Sequence, residues 1–386
     1  MVNLATKYSD KIQTAFTHAS YIRSKVSNAY DFTGVKTLKV YTPVTVDEVD
    51  YKRSGSNRYG EPTEMQDIVQ EMTMTQDKAF TLTIDKGNNM DQMNIKGAGK
   101  MLQQQLREKS TPAADKYAFR KFAMYAGTTM TVNSKPTKSN IVSTIFDMGQ
   151  AMDDALVPDD NRYLFMTAEM YKLVCTSDEF IGLDPLGAKS ISRGECGDID
   201  GFRVVKVARG YLPENCFMLA VYKQSVIMPY KIQDTKIHED PPGVSGNLIE
   251  GRHYYDAFVL GAKAMGVVAL VLASEKQVAP TVSIVSHKVT PTSSDAEEIR
   301  YTLDGSDPRY SDSAKVVTGE ITTESGQMIR AVAFGKNGKF TSDVAEATDK
   351  VVTGEITTES GQKIRAVAFG KNGKFTSDVA EATDKD

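Results

Sequence analysis

One stretch limits the fold of this chain more than any other: Met101–Ala126, MLQQQLREKSTPAADKYAFRKFAMYA. Its first part is built from strong helix formers, with Leu102 and Leu106 four apart on one face. Thr111 then precedes Pro112, Ala113 and Ala114, and Asp115 follows in what reads as a new first turn. Proline is tolerated where an N–H has no helical acceptor, so the helix is expected to restart here. Beyond that point Ala114, Tyr117, Ala118, Phe122 and Tyr125 form an apolar stripe at three-to-four spacing, with Lys116, Arg120 and Lys121 mostly off it. The pattern predicts a long core helix, started twice.

Before the helix, residues 1 to about 34 read as an arm with scattered apolar residues. Two strand-like runs follow, Val35–Tyr41 and Ala79–Asp85, the second alternating Phe80, Leu82 and Ile84 against Thr81, Thr83 and Asp85. Between them lies the basic, Gly/Ser-containing piece YKRSGSNRYGEP, Tyr51–Pro62. Together they predict a long two-stranded arm with a charged tip, too thin to be stable without something to lie on. After the long helix, Ile141, Ile145, Met148, Met152 and Leu156 predict a second helix over about Lys138–Leu156, with Ser139 as N-cap and Pro158 beyond its end. Strands and helices then interleave to about residue 272, which predicts an α+β or α/β core.

Residues 274–298 change composition to Ser, Thr, Pro and acidic residues, and a domain boundary is placed near Ala273–Ala279. Short strands and turns follow, with Asn337-Gly338 as a two-residue hairpin signal.

Composition narrows the function classes. The chain has 386 residues, and 46 basic against 50 acidic residues give no polycationic signature for nucleic-acid binding. The start, MVNLATKYSDKIQ, has no apolar core of a secretory signal. The longest apolar run, Ala257–Ala273, is broken by Lys263 and is short for a membrane span. Cys175, Cys196 and Cys216 are widely spaced with no CxxC and read as reduced thiols.

Few motifs carry chemistry. Lys96-Gly97-Ala98-Gly99-Lys100 fails as a phosphate loop, because Asn94 stands at the first Gly and Met101 where Ser or Thr would bind magnesium; it reads as a Gly-rich helix entry. His18, His238, His253 and His287 are far apart. Asp153-Asp154 and Asp159-Asp160 read as solvated acids at a turn ahead of a cation site, and Asp304, Ser306 and Asp307 as turn chemistry ahead of a calcium site. Cys175 reads as a buried, inert thiol. No catalytic, cofactor or metal site is expected.

From about residue 30 to residue 272 the chain resembles the major capsid proteins of tailed bacteriophages, the Hong-Kong-97-type shell fold. The resemblance rests on STPAADKYAFRKFA for the spine helix and LVPDDNRYLFMTAEMYKLV for the strand–helix step of the axial domain. It rests also on GDIDGFRVVKVARGYLP and on GRHYYDAFVLGAKAMGVVAL for the strands that follow. Residues 299–348 resemble the small immunoglobulin-like module at the ends of chitobiases and hexosaminidases, on Tyr301–Pro308, with the turn Asp304, Gly305, Asp307 and Pro308, and on the later IRAVAFGKNGKFTS.

These resemblances imply an α+β capsid fold followed by a small all-β sandwich. The divisions are arm 1–34, extended loop 35–90, spine helix and peripheral domain 91–137, and axial domain 138–250. Return strands 251–273, linker 274–280, surface module 281–349 and a surplus half-module 350–386 follow. They imply a homo-oligomer of hexamers and pentamers in a virion shell assembled in the bacterial cytoplasm, with portal and scaffold partners and no membrane. Contact with the enclosed double-stranded DNA would be weak, and the module would face outward as decoration, with a host-surface glycan as a candidate ligand. The basic loop tip, Lys52, Arg53 and Arg58, is the expected inter-subunit contact. A carbohydrate-binding adhesin built on the module is the alternative, and a glycoside hydrolase the weakest reading, since there is no Trp and no barrel pattern.

The chain ends by repeating itself. Lys315–Asp349 and Lys350–Asp384 are identical over 35 residues except that Lys363 replaces Met328. Each copy supplies only the later strands of the module, so there is one seat and two candidates for it. Residues 281–349 are expected to form the sandwich, because the nearer copy has the shorter connection and keeps the usual strand order.

Overall fold

The computed structural model describes residues 20–30, 32, 35–46, 48–62, 64–91, 96–177, 198–349, 363–366 and 380–383. The start of the arm, the Gly/Ser-containing loop after Ser177 and most of the second repeat copy lie outside these residues.

The long helix does not restart. It runs as Ala98–Gln105, a π turn over Leu106–Ser110, and Thr111–Met124. Gly97 sits in extended conformation at its entry, the helix-entry role expected of the Gly-rich segment. The π turn is the chain's answer to Pro112, which cannot donate to the carbonyl four residues back and whose ring crowds it. The Thr111 N–H reaches back five residues to the Leu106 carbonyl, and the extra residue opens the turn ahead of the proline. The buried face carries Ala114, Ala118, Phe122 and also Phe119 and Ala123, which the simple stripe omits. The arm is tied to it by Asp115, 1% exposed, which accepts from Ser20 Oγ and Tyr21 N at 2.7 Å each.

A six-stranded sheet forms the centre, in the order Thr128–Val132, Val267–Leu272, Cys216–Tyr222, Arg162–Thr167, Phe202–Val207, Asp198–Ile199. Strand alternation divides it between two cores. Tyr163, Phe165, Leu219 and Ala269 face the spine helix, where Phe119 meets Phe165 edge-on at 5.0 Å. Leu164, Met166, Met218 and Leu270 face the helix Ile141–Asp153. The helix Ala168–Cys175 carries the crossover between the parallel strands Arg162–Thr167 and Phe202–Val207. The mixed architecture is the expected α+β class.

Several local expectations change. The second helix begins after Asn140, not Ser139, and ends before Leu156, which is 90% exposed with φ +55°. The four acids Asp153, Asp154, Asp159 and Asp160 are not arranged around a cation site. Two of them, Asp153 and Asp159, hold the Arg162 guanidinium, 2% exposed, at 2.7 and 3.0 Å, and its Nε and Nη2 also donate to the carbonyls of Pro158 and Val157. Cys175 is disulfide-bonded, its partner lying outside the described residues, which overturns three reduced thiols and a buried inert Cys175. Cys216 is the buried free thiol, pushed up to about 12 by burial.

Candidate assembly surfaces

The loop strand Thr37–Pro43 pairs antiparallel with Asp67–Thr73, in register from Thr37↔Thr73 to Pro43↔Asp67. The return strand is therefore not Ala79–Asp85. That run belongs to the strand Gln76–Asp85, which joins Gly246–Tyr255 and Tyr230–Glu239 in a three-stranded sheet beside the spine helix. Beyond Pro43 the loop keeps a few bonds, Val44 N to Gln66 O at 2.8 Å and Lys52 N to Arg58 O at 2.9 Å. Tyr51 and Tyr59 meet edge-on at 5.0 Å, and Gly55 at φ +89° turns the tip. Val46, Val49, Tyr59 and Met65 are 71%, 62%, 86% and 68% exposed, so among the described residues the outer loop leaves apolar surface uncovered.

The base of the loop is held firmly. Gln70 Nε2 donates to Val259 O and its Oε1 accepts from Gly261 N, both at 2.8 Å, so one amide brackets the turn after Phe258. Asp256, 1% exposed, accepts from Thr75 N (2.7 Å), Thr75 Oγ1 (2.8 Å), Tyr117 OH (2.8 Å) and Ala257 N (2.8 Å). One carboxylate thus joins the end of the loop, the spine helix and the return strand. Burial, with Asp256 adding to it, keeps the Tyr117 phenol protonated far above its ordinary range. Phe32, Met72, Met74, Ile227 and Leu260 pack beneath.

The C-terminal module is joined to the other end of the spine helix. Its strands Ala296–Thr302, Lys315–Val316, Met328–Gly335 and Ala345–Thr348 form a four-stranded sheet, faced by the pair Lys288–Val289 and Ile321–Thr322 across Val289, Ile321 and Ile329. The last carbonyls of a helix have no partner within it. Here Thr341 Oγ1 donates to Met124 O, Tyr310 OH to Tyr125 O (2.7 Å), and Arg309 Nη1 to Ala126 O (2.7 Å) and Gly127 O (3.2 Å). Arg309 is oriented by Asp307 at 2.7 Å. Tyr310 (8% exposed) and Phe340 (2%) enter the same core as Phe119 and Phe165. The module also touches the loop base: Asp312 N donates to Val69 O at 2.9 Å, and Lys39 pairs with Asp312 at 3.1 Å.

Residues 274–280 are accordingly no free tether. Phe340 N donates to Glu275 O (2.8 Å) and Gln277 N to Phe340 O (2.9 Å), and Lys276 spans Thr129 O (2.8 Å) and Asp343 (2.6 Å). Asn337 and Gly338 take the positive φ of a tight turn, +55° and +82°, but no two-residue hairpin forms. The chain runs on to seat Phe340 and Thr341 before pairing again at Ala345. The first repeat copy fills the module. The second forms its own pair, Lys363–Ala366 with Ala380–Thr383, in the register that Met328–Ala331 and Ala345–Thr348 use.

Comparison with solved structures finds chains that share the fold over 70% of this chain. A chain from Mycobacterium phage Che8 is 16% identical with a TM-score of 0.56, over 70% of this chain and 97% of that one. A chain of the capsid structure of the cyanophage P-SCSP1u is 13% identical with a TM-score of 0.58, over 70% and 93%. A chain of the asymmetric unit of the bacteriophage PhiM1 mature capsid is 10% identical with a TM-score of 0.57, over 70% and 92%. The chain has a phage-capsid fold. The family model described as Fn3 associated matches residues 289–348, compatible with an immunoglobulin-like module on that fold. No curated protein matches by sequence.

Within this capsid fold the expected site residues fall into two groups. Lys52, Arg53 and Arg58 are exposed at the loop tip, and Arg58 Nε donates to Gly55 O at 3.2 Å. Asp304, Gly305, Asp307 and Pro308 form the module turn, and its acids are used internally. Asp304 accepts from Ser306 N (2.9 Å), Ser306 Oγ (2.5 Å) and Ser313 Oγ (2.6 Å). Burial works to raise the Asp304 carboxyl, but these donors outweigh it and hold it below its ordinary value. Among the described residues no three His, Cys, Asp or Glu side chains are grouped to hold a metal, and no helix is long and apolar enough to cross a membrane. Sequence reasoning missed Asp256, Arg309, Tyr310 and Phe340. The Asp-Gly and Asp-Pro pairs of the module turn offered a signal only for the turn itself.

Proposed function

We propose that this chain is the major capsid protein of a tailed bacteriophage. It self-assembles into hexamers and pentamers of an icosahedral shell that encloses double-stranded DNA. The observation that carries the reading is the outer loop, with its base locked by Gln70 and Asp256 and four large apolar side chains bare beyond it. In a ring-closing head-to-tail contact a neighbouring subunit covers that surface, and the basic tip meets acidic groups on the neighbour. The near balance of 46 basic and 50 acidic residues supports only a weak grip on packaged DNA. Portal and scaffold proteins complete the assembly.

The module acts as built-in cement. Its turn from Asp307 to Asp312 is spent on the spine helix and the loop base, so it braces the two elements a shell contact would load. A glycan would have to use the remaining sheet surface. The adhesin reading leaves the bracing, and the shell fold itself, without a purpose. Expression of the full chain and negative-stain microscopy test the proposal. Closed particles of uniform size are expected, and a chain that stays monomeric at all concentrations and salts rejects it.

A further inference from the structure

A cavity of about 430 Å³ lies between the spine helix and the three-stranded sheet, beside the π turn. Its floor is a cross-strand row, Gln233–His253–Lys78, whose members are directly paired and so share one face of the sheet. His253 is 7% exposed, lines the cavity, and its Nε2 has no hydrogen-bond partner. Buried polar atoms are nearly always paired, so an orphan of this kind marks a missing partner. The imidazole is fixed in place. Phe80 stacks on it at 5.9 Å and 27°, and the Phe80 ring lies over Gly251, where a Cβ would fall 2.3 Å from it.

The lining has one sign of charge. Arg23 and Lys78 stand on the arm and sheet side, and the π turn brings Lys109 from the helix side. Among the described residues no Asp or Glu lines the cavity. Asp77, next to Lys78, alternates to the opposite face, where it pairs with Arg252 at 2.6 Å. Asp115, on the same helix, is engaged by Ser20 and Tyr21. Part of the remaining wall is aromatic, with Tyr230 and Tyr255 stacked at 5.4 Å and Tyr117 beside them.

We propose that this cavity binds an organic anion with an apolar body. The acid group takes the His253 Nε2–H and the Lys78 and Lys109 ammonium groups, and the rings of Phe80 and Tyr230 cover the body. The same chemistry could arrive as a free organic acid or as an acidic side chain flanked by apolar residues on another chain. The inference stands apart from the shell reading, since it is tested on the unassembled subunit.

The test is titration of the full-length chain with 2-naphthoate, followed by calorimetry, with neutral 2-naphthol as the matched control. Saturable 1:1 binding is expected for naphthoate, with naphthol about tenfold weaker, the loss expected when a charged hydrogen-bonding group goes. Lys78→Gln/Lys109→Gln should weaken naphthoate by about tenfold and His253→Gln by less, with melting temperatures unchanged. A peptide of residues 44–51, VTVDEVDY, serves as competitor. Displacement of naphthoate assigns the anion to a second chain, and binding without displacement assigns it to a free acid; either supports the site. No saturable naphthoate binding, equal binding of naphthol, or unchanged affinity in the double lysine variant overturns it.

Discussion

Arg58-Tyr59 at the loop tip and Arg309-Tyr310 in the module turn are the same dipeptide, each in a Gly/Ser-rich turn. They end in opposite places. Tyr59 is 86% exposed and Tyr310 is 8% exposed. Among the described residues Arg58 finds its own turn, at Gly55 O, while Arg309 finds the carbonyls of Ala126 and Gly127. The difference lies in what each turn meets. A helix end offers unpaired carbonyls, and a side chain with a rigid fork of donors satisfies several at once. Among the described residues the loop tip meets no such row of acceptors, so its apolar and basic groups are left exposed.

Removing Tyr51–Pro62 gives the largest effect this contrast predicts. Shells should be lost altogether, while the free subunit melts at nearly the same temperature, because the deleted residues are almost all exposed. Microscopy and calorimetry on one preparation read both. Shells at normal yield would show that the bare loop is not the clamp.

The two tyrosines sharpen the contrast at single-residue scale. Tyr310→Ala should cost the subunit about 3–5 kcal/mol, the range for a large aromatic truncated in a core. Tyr59→Ala should leave its stability within about 0.5 kcal/mol, as exposed substitutions do, yet reduce shell yield. Denaturant melts of the two variants decide it. Equal costs would mean that the module joint is not load-carrying. Truncation after Ser274, neutral for a projecting decoration, should here lower stability as well, because it strips the partners from Met124, Tyr125 and Ala126.

The docked region can also be loosened by acid alone. Asp349 accepts from Thr323 Oγ1 at 2.6 Å and pairs with His287 at 2.8 Å, pinning the end of the first repeat copy. The Thr323 hydroxyl, against the pull of burial and with help from His287, holds the Asp349 carboxyl below its ordinary value. A carboxyl lowered by folding contributes stability that is complete above its unfolded value, about pH 4, and is lost as pH falls through the folded one. The gap in melting temperature between the natural chain and Asp349→Asn should therefore be widest near neutrality and close in acid. A constant gap would mean that the pair does not tighten the module.

Much of this was legible in the residues and some was not, for identifiable reasons. The spine helix showed because apolar spacing reports a buried face directly. The loop's return strand did not, because Asp67–Thr73 is half exposed and has no clean alternation, while Gln76–Asp85 has one and drew the assignment. Leu156 kept the helical spacing after the helix hydrogen bonds had ended, since periodicity does not register where bonding stops. Asp256 and Arg162 were passed over because charged residues read as surface; both are buried, Asp256 engaged by Thr75 and Tyr117 from distant segments and Arg162 by the turn just before it. The module joint was hidden for the same reason, since Arg309 and Thr341 acquire meaning only opposite a helix end.

The smallest effect predicted is the most telling for the repeat. Every residue type that seats the first copy recurs in the second: Ile364 for Ile329, Phe375 for Phe340, Thr376 for Thr341, with Lys363 for Met328 the one change. Met328 is 36% exposed at the start of its strand, so a lysine there can keep its charge in water. Deleting residues 315–349 joins Ala314 directly to the second copy and should rebuild the same docked module. Its stability should stay within about 0.5 kcal/mol of a chain ending at Asp349. The comparison isolates connection length as the reason the first copy holds the seat, since a shorter tether raises its local concentration without altering any contact. Calorimetry of the two truncated chains makes the measurement. A large loss in the chain that keeps only the second copy would mean that the seat distinguishes the copies through Met328 itself.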